Sequence, residues 1–277
     1  MKCFYHSSDL DGKASGAIVK MRHPSCELVG INYGDPFPWD SIAPGEEVFM
    51  VDFCLQPFED MVRLNSHAKL YWFDHHKTAI EEMLAVQFKA SGESHLAIDK
   101  AGCELTWEYC FRGKPLPRAV YYLGRYDIWQ HEHVPGALEF QYGMRFEKDT
   151  RPTNQKFWID ICTHQSLVDE CIKLGGILLE YEKRQNEKYA KSCAFDVVLD
   201  GLRCIVINKG LTGSLLFQSV YNPEIHDAML SFVRRNGKWN IAMYAVKPDV
   251  DVSAICKARG GGGHKGAAGF SCETLPF

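Results

Sequence analysis

The segment Leu70-Tyr71-Trp72-Phe73-Asp74-His75-His76 says most about the architecture of this 277-residue chain. Its apolar run is typical of a strand buried on both faces, as in a parallel sheet. An acid and two imidazoles directly after such a strand are poor material for a hydrophobic core. Because carboxylates and neutral imidazoles both bind divalent first-row metals, Asp74, His75 and His76 indicate a metal site at a strand end.

Three further clusters of acidic or imidazole side chains lie in the first half of the chain. They are His6-Ser7-Ser8-Asp9-Leu10-Asp11, which follows the first apolar stretch, Asp52, which closes Glu47-Val48-Phe49-Met50-Val51, and Asp127 in the segment 123–129. Asp9 and Asp11, two residues apart, could each bind one metal of a pair, and Asp52 could bridge both. His6 would complete one coordination shell, and His75 with Asp127 the other.

A pair of metals at this position would suit phosphate chemistry. Two metals roughly 3.5–4 Å apart can clamp a phosphoryl oxygen, generate hydroxide and stabilise the leaving oxygen. Mixed carboxylate and imidazole ligands fit two Mn²⁺ ions well, while Mg²⁺, Co²⁺ and Fe²⁺ also suit this ligand set.

The order of predicted elements in the first half indicates an α/β fold with a mostly parallel sheet and helices on both faces. Strands are predicted at Met1–Tyr5, Cys26–Asn32, Glu47–Phe53 and Lys69–Phe73, and helices at Lys13–Met21, from Pro57 through Leu64, at Thr78–Leu84 and at Cys103–Phe111. In such sheets ligands bind beyond the carboxyl ends of the strands, where the clusters fall.

A smaller α/β domain is expected after a helical connector. Residues 154–193 are predicted to be helical, which divides the chain into a metal-binding domain at 1–185 and a substrate-binding domain at 195–277. In the second domain we expect strands near 195–199, 203–207 and 239–246, a strand or helix at 226–234, and helices at Ser214–Tyr221 and Val252–Lys257.

The composition is that of a globular protein, with 46% hydrophobic and 24% charged residues. No apolar stretch approaches the roughly 20 residues that span a bilayer, and the N-terminus lacks the apolar region of a signal peptide. The eleven cysteines contain no CxxC pair, which favours inert thiols in a reducing cytosol. We therefore expect a cytoplasmic protein without a membrane partner.

Near the C-terminus, Arg259 precedes a run of four glycines, Gly260-Gly261-Gly262-Gly263, which is followed by His264. Consecutive glycines let the backbone approach a ligand closely and can form a nest of N–H groups for phosphate. Arg259, Gly261, Gly262, Gly263 and His264 are accordingly predicted to bind substrate.

These motifs resemble, in order and spacing, those of the DHH phosphoesterase superfamily. The segment from His6 to Asp11 is similar to the first motif, Asp52 to the second, Asp74-His75-His76 to the third and Asp127 to the fourth. Gly261-Gly262-Gly263-His264 with Ala267-Ala268-Gly269 resembles the signature of the DHH-associated C-terminal domain. The resemblance covers nearly the whole chain.

The resemblance implies a two-domain, Mn²⁺-dependent phosphoesterase with its active site in the cleft between the domains. By the family pattern, one metal is held by His6, Asp9 and Asp52, and the other by Asp11, Asp52, His75 and Asp127. His76 would face the substrate phosphate, and Asp74 would orient an imidazole from behind. Asp52, His76 and Asp74 are thus the residues expected to be essential for catalysis.

Three functions remain open from the sequence. The first is a phosphodiesterase that hydrolyses short oligoribonucleotides or dinucleotides to 5′-mononucleotides. The second keeps the site and changes the substrate, to 3′-phosphoadenosine 5′-phosphate or polyphosphate. The third is a sensor that binds metal and nucleotide without turnover. No obligate protein partner is inferred, and a homodimer is left open.

Overall fold

The computed structural model describes residues 1–277. The chain forms two compact units, Met1–Leu178 and Leu179–Phe277. The boundary falls inside one continuous helix, Gln165–Cys193. No helix in the structure has both the length and the apolar content needed to cross a bilayer.

The first unit is built on five parallel strands. They are β1 (Lys2–His6), β2 (Glu27–Ile31), β3 (Glu47–Val51), β4 (Lys69–Asp74) and β5 (Glu93–Leu96). Their order across the sheet is β2-β1-β3-β4-β5, and every neighbouring pair is parallel. The predicted parallel α/β sheet is therefore confirmed.

Eight helices belong wholly or partly to this unit. They are α1 (Leu10–Arg22), α2 (Glu59–His67), α3 (Lys77–Ala85), α4 (Gly102–Cys110), α5 (Arg118–Asp127), α6 (Ala137–Phe146), α7 (Gln155–Thr163) and α8 (Gln165–Cys193). The stretch 154–193, expected to be helical throughout, is interrupted between α7 and α8 at His164, where the backbone is extended.

The central strand β3 shows why its sequence is continuously apolar. Phe49 and Val51 pack into a core shared with α1 and α4, whereas Val48 and Met50 pack into a second core shared with α2. Successive side chains of a strand point to opposite faces, so a strand covered on both sides needs apolar residues at every position.

The second unit contains a mixed sheet of six strands and one further helix. The strands are β6 (Phe195–Leu199), β7 (Leu202–Asn208), β8 (Ala228–Arg235), β9 (Lys238–Tyr244), β10 (Gly262–His264) and β11 (Ala267–Cys272), and the helix is α9 (Val252–Ala258). Their order is β10-β11-β9-β8-β7-β6. The helix predicted at Ser214–Tyr221 is a short 3₁₀ turn, Ser214–Phe217. The expected smaller α/β unit is thus present.

Candidate metal centre

The carboxyl ends of three adjacent strands supply the first polar side chains of the site. His6 ends β1, Asp52 directly follows β3, and Asp74 ends β4. Because β1, β3 and β4 are parallel neighbours, their carboxyl ends meet at one edge of the sheet, where the topology leaves room for a ligand.

Asp9 joins His6 at this edge because it caps α1. Its Oδ1 accepts a hydrogen bond from the N–H of Gly12 at 2.9 Å, and its Oδ2 lies 2.8 Å from Nδ1 of His6. A Cβ at Gly12 would lie 2.0 Å from the carbonyl oxygen of His6. Only glycine at this position lets α1 start so close to the end of β1, and this close start brings Asp9 to His6.

Asp52 connects two groups of side chains. Its backbone is left-handed, with φ of +53°, and its N–H donates to the carbonyl of Phe73 at 2.8 Å. The buried carboxylate places Oδ2 at 3.7 Å from Nδ1 of His6 and Oδ1 at 3.1 Å from Nε2 of His75. The two oxygens of Asp52 thus lie near different imidazoles, and its role as a bridge between two metals stays a prediction.

The second group surrounds Nε2 of His75. This atom lies 3.5 Å from Oδ2 of Asp11 and 3.2 Å from Oδ2 of Asp127, the last residue of α5. Both oxygens of buried Asp11 accept N–H groups from the first turn of α4, at 2.8 Å from Gly102 and 2.7 Å from Cys103. Asp11 is therefore fixed by the amino-terminal end of a helix, where a negative charge is stabilised.

Asp74 holds the neighbouring imidazole from behind. Its Oδ1 accepts hydrogen bonds from the backbone N–H groups of His75, at 2.7 Å, and His76, at 3.2 Å, and lies 2.6 Å from Nδ1 of His76. The other oxygen, Oδ2, is buried without a hydrogen-bond partner. With Nδ1–H directed at Asp74, Nε2 of His76 is the atom that can face a ligand.

Crowding of acids in a buried place perturbs their protonation. Burial would lower the pKa of His6, but hydrogen bonds to Asp52 and Asp9 outweigh it and raise this pKa to about 10. Burial, with repulsion from Asp52 and Asp9, raises the pKa of Asp127 to about 7, although His75 opposes the shift. For Asp11, burial followed by repulsion from Asp52 also raises the pKa. The carboxylates and imidazoles of the cluster thus perturb one another's protonation.

The donor set fits divalent metal ions. Ligand atoms of His6, Asp9 and Asp52 lie within 4.8 Å of one another, and the same holds for one ligand atom each of Asp11, His75 and Asp127. Oxygen and imidazole donors of this kind suit Mn²⁺ and related first-row ions. All six predicted metal ligands are therefore brought together in the first unit.

The glycine run of the second unit forms a helix end and an edge strand. Gly262–His264 forms the edge strand β10, and the N–H groups of Gly260 and Gly261 donate to carbonyls of Lys257, at 3.0 Å, and Cys256, at 2.8 Å, at the end of α9. Glycine after a helix commonly serves as such a C-terminal cap. The expected phosphate nest is therefore not formed by these two glycines.

Arg259 is likewise engaged inside its own unit. Its guanidinium makes hydrogen bonds to Asp200 of 2.7 Å to Oδ1 and 3.1 Å to Oδ2. An arginine already bound to a carboxylate must give up that partner before it can hold a phosphate, and this weakens its predicted role. His264 lies at the end of β10, opposite Ala267.

Sequence reasoning missed an ion pair between α4 and α5, the helix that ends at Asp127. Glu104, in the first turn of α4, pairs with Arg125 and accepts the N–H of Ala101 at 3.0 Å. A Cβ at Gly124 would lie 2.5 Å from Glu104, so α4 and α5 touch closely here. The contact of Glu104 with Ala101 lies within the start of its own helix, whereas its pairing with Arg125 on another helix has no local signature.

Comparisons with known proteins bear on the fold. No family model matches the chain. An uncharacterized protein of Acanthamoeba polyphaga mimivirus is 27% identical in an alignment of 250 residues that covers 84% of this chain and 55% of the viral protein, so the chain spans about half the length of this curated relative.

Two solved structures share the fold. A pGpG-specific phosphodiesterase from Vibrio cholerae has a TM-score of 0.54 at 14% identity, covering 98% of this chain and 92% of that one. The DHH domain of a protein described as a member of a family of ribosomal proteins has a TM-score of 0.57 at 12% identity, covering 97% and 81%. The chain therefore shares the fold of these two proteins, one of which is described as a DHH domain, and this is the fold that its motifs predicted.

Proposed function

We propose that this chain is a metal-dependent phosphodiesterase that hydrolyses short oligoribonucleotides or dinucleotides to 5′-mononucleotides. The observation that carries the proposal is the position of Asp52, whose two oxygens lie near His6 on one side and His75 on the other. A carboxylate between two groups of metal ligands is suited to a dinuclear centre, the kind of site that hydrolyses phosphate esters.

In this proposal His6, Asp9 and Asp52 would hold one ion, and Asp11, His75 and Asp127, with Asp52 shared, the other. Two Mn²⁺ ions are proposed, and when bound they would supply Lewis acidity and an activated water. The residues around them would position the substrate.

His76 would present its Nε2 to a phosphate oxygen, held in place by Asp74 at 2.6 Å. Burial would lower the pKa of His76, but the charge of Asp74 and the hydrogen bond to it outweigh burial and raise this pKa. A protonated His76 could donate to the phosphate and stabilise its charge. In the second unit, His264 remains the proposed ligand for a terminal phosphate of the substrate.

The fold shared with a pGpG-specific phosphodiesterase supports a dinucleotide as the substrate. A phosphatase acting on 3′-phosphoadenosine 5′-phosphate or an exopolyphosphatase would need the same metal ligands. These substrates are therefore distinguished by measuring the turnover of each.

The test is Mn²⁺-dependent turnover of a 5′-phosphorylated RNA dinucleotide, a longer RNA, a cyclic dinucleotide, 3′-phosphoadenosine 5′-phosphate and polyphosphate. Asp52→Asn is the informative variant because asparagine tolerates the left-handed backbone found there, so the fold is kept while the bridging charge is lost. Asp40→Asn, which removes the charge of an exposed carboxylate, is the matched control.

Preference for the dinucleotide, lost in Asp52→Asn and kept in Asp40→Asn, is the expected result. Turnover of the bisphosphate or polyphosphate alone would retain the metal site and overturn the substrate. Absence of Asp52-dependent turnover on all five compounds would contradict the proposed enzyme and favour a metal-binding sensor.

A further inference from the structure

A cavity of about 240 Å³ lies in the first unit, between the loop after β2 and the segment that follows Asp52. Aromatic rings of Tyr33, Phe37, Trp39 and Phe53 line it. Its volume is below the roughly 300–1,000 Å³ typical of pockets for drug-sized ligands. The cavity is therefore of a size for a single ring system and not for a whole dinucleotide.

This cavity shares a wall with the candidate metal centre. Tyr33 stacks on Phe53 with ring centroids 4.5 Å apart, and both rings lie 5.8 Å from the ring of His6. Phe53 directly follows Asp52 in the chain. A ring bound in the cavity would thus lie beside a phosphate held at the metal ligands.

The loop that carries Tyr33 is tied to the loop that carries the metal ligands. The hydroxyl groups of Ser7 and Ser8 lie 3.1 Å and 2.6 Å from Oδ1 of Asn32, and the N–H of Ser7 donates to the carbonyl of Ile31 at 3.1 Å. These contacts hold the cavity in register with His6 and Asp9, so the distance between a bound ring and the metal ligands is set by the fold.

Tyr33 differs from the other aromatic residues of the lining in its exposure. Phe37 contacts core residue Phe4, with centroids 4.6 Å apart, and Trp39 is covered by the guanidinium of Arg63 at 3.8 Å. Tyr33, by contrast, is 44% exposed although its ring is held against Phe53. An exposed aromatic ring kept in a fixed orientation is suited to stacking on a ligand.

The polar groups of the cavity discriminate between ligand classes. Asp35 and Asp60 contribute carboxylates to the lining, and the exposed Gln56 contributes an amide. Carboxylates repel phosphate, which disfavours a polyphosphate chain in this cavity, and they accept hydrogen bonds from amino groups. The lining therefore favours a base with an exocyclic amino group, guanine above all because its ring N–H and amino group are adjacent donors, over uracil.

We propose that this cavity is a nucleobase subsite, and that it selects nucleotides with an amino-bearing base for hydrolysis at the adjacent centre. This inference rests on the proposed function and deepens it, since it separates nucleotide substrates from polyphosphate. The base would stack on Tyr33 and place its amino group toward Asp35 or Asp60.

The test compares a 5′-phosphorylated guanosine dinucleotide with two analogues that lack the base at either position, and with the uridine dinucleotide. Stacking of one base contributes about 5- to 140-fold in affinity. We expect the wild type to lose this factor in kcat/KM when the base that occupies the cavity is removed. In Tyr33→Ala the ratio of kcat/KM for the intact dinucleotide to kcat/KM for the base-free dinucleotide should fall toward one. Tyr33→Phe retains the ring and should keep the wild-type ratio.

A binding measurement separates this inference from the proposed function. Ligand-detected NMR with guanosine and uridine, on the metal-free protein, reports base binding without turnover. Guanosine binding that is weakened in Tyr33→Ala supports the subsite even if no dinucleotide is hydrolysed. Equal wild-type kcat/KM on intact and base-free dinucleotides, or guanosine binding unchanged in Tyr33→Ala, would overturn it.

Discussion

Replacement of Gly102 by alanine should disturb the candidate metal centre without removing any ligand. Gly102 begins α4, and its N–H donates to Asp11 at 2.8 Å. A Cβ built at this position would lie 3.1 Å from Cα of Asp52 and 2.6 Å from its Cβ, and the second distance is closer than real Cβ contacts allow. Either the start of α4 or Asp52 must therefore move, and each of them positions a ligand.

The size of the effect follows from the required shift. Ordinary contact begins near 3.4 Å, so the two Cβ atoms must separate by about 0.8 Å. Misplacement by about 1 Å can cost on the order of a hundredfold in rate. Overpacking of this kind also costs about 1–3 kcal/mol of stability, which for a unit of this size is a fall in Tm of roughly 2–12 °C.

The assay is calorimetric titration of the Gly102→Ala variant with Mn²⁺, together with its Tm and its turnover of the best substrate. Gly213→Ala is the matched control, since a Cβ there meets nothing within 4 Å. We expect weakened Mn²⁺ binding and reduced turnover in Gly102→Ala alone. Wild-type Mn²⁺ affinity and Tm in Gly102→Ala would show that the close approach to Asp52 does not constrain the site, and would refute this reasoning.

Three further outcomes are expected. Asp74→Asn should lower kcat about 10- to 100-fold, with Tm little changed, because the imidazole of His76 loses a charged hydrogen-bond acceptor. Steady-state kinetics measures kcat and calorimetry measures Tm. An unaltered kcat would contradict the prediction. Asp11→Asn should lower the unfolding free energy of the metal-free protein by about 1–3 kcal/mol, because the amide NH₂ would face N–H groups of α4. Urea unfolding in EDTA measures this loss of stability. An unfolding midpoint equal to that of the wild type would contradict the prediction. Free Mn²⁺ at a hundred times its Kd should stabilise the wild-type protein by about 2.7 kcal/mol, and EDTA should remove this stabilisation. A thermal-shift assay measures the effect. If Mn²⁺ stabilises Asp52→Asn by the same amount, the metal binds at another site.

The part of the site that could be predicted from sequence is the part that lies at strand ends. Apolar runs marked β3 and β4, and parallel pairing then required Asp52 and Asp74 to lie side by side. Neighbouring strand ends meet whatever the details of packing, so the grouping of these two carboxylates follows from the order of elements alone.

Features that depend on contacts between distant segments were not predictable in this way. Strand β5, Glu-Ser-His-Leu, is a short edge strand without an apolar run. Arg125 gave no local sign that it pairs with Glu104 on another helix. The glycine run was open to two interpretations, because local sequence does not tell whether an N–H faces a phosphate or, as at Gly261, a helix carbonyl.

The left-handed backbone at Asp52 also bears on how such a chain can change over evolutionary time. Among the residues reached from aspartate by a single nucleotide change, asparagine and glycine enter this conformation with little strain, whereas valine does so only at high cost. Under the proposed function, descendants that abandon hydrolysis are thus expected to carry asparagine or glycine at this position and to keep their architecture. A lineage that evolves toward ligand sensing would then show a substitution at position 52 before it shows substitutions in the rest of the sheet.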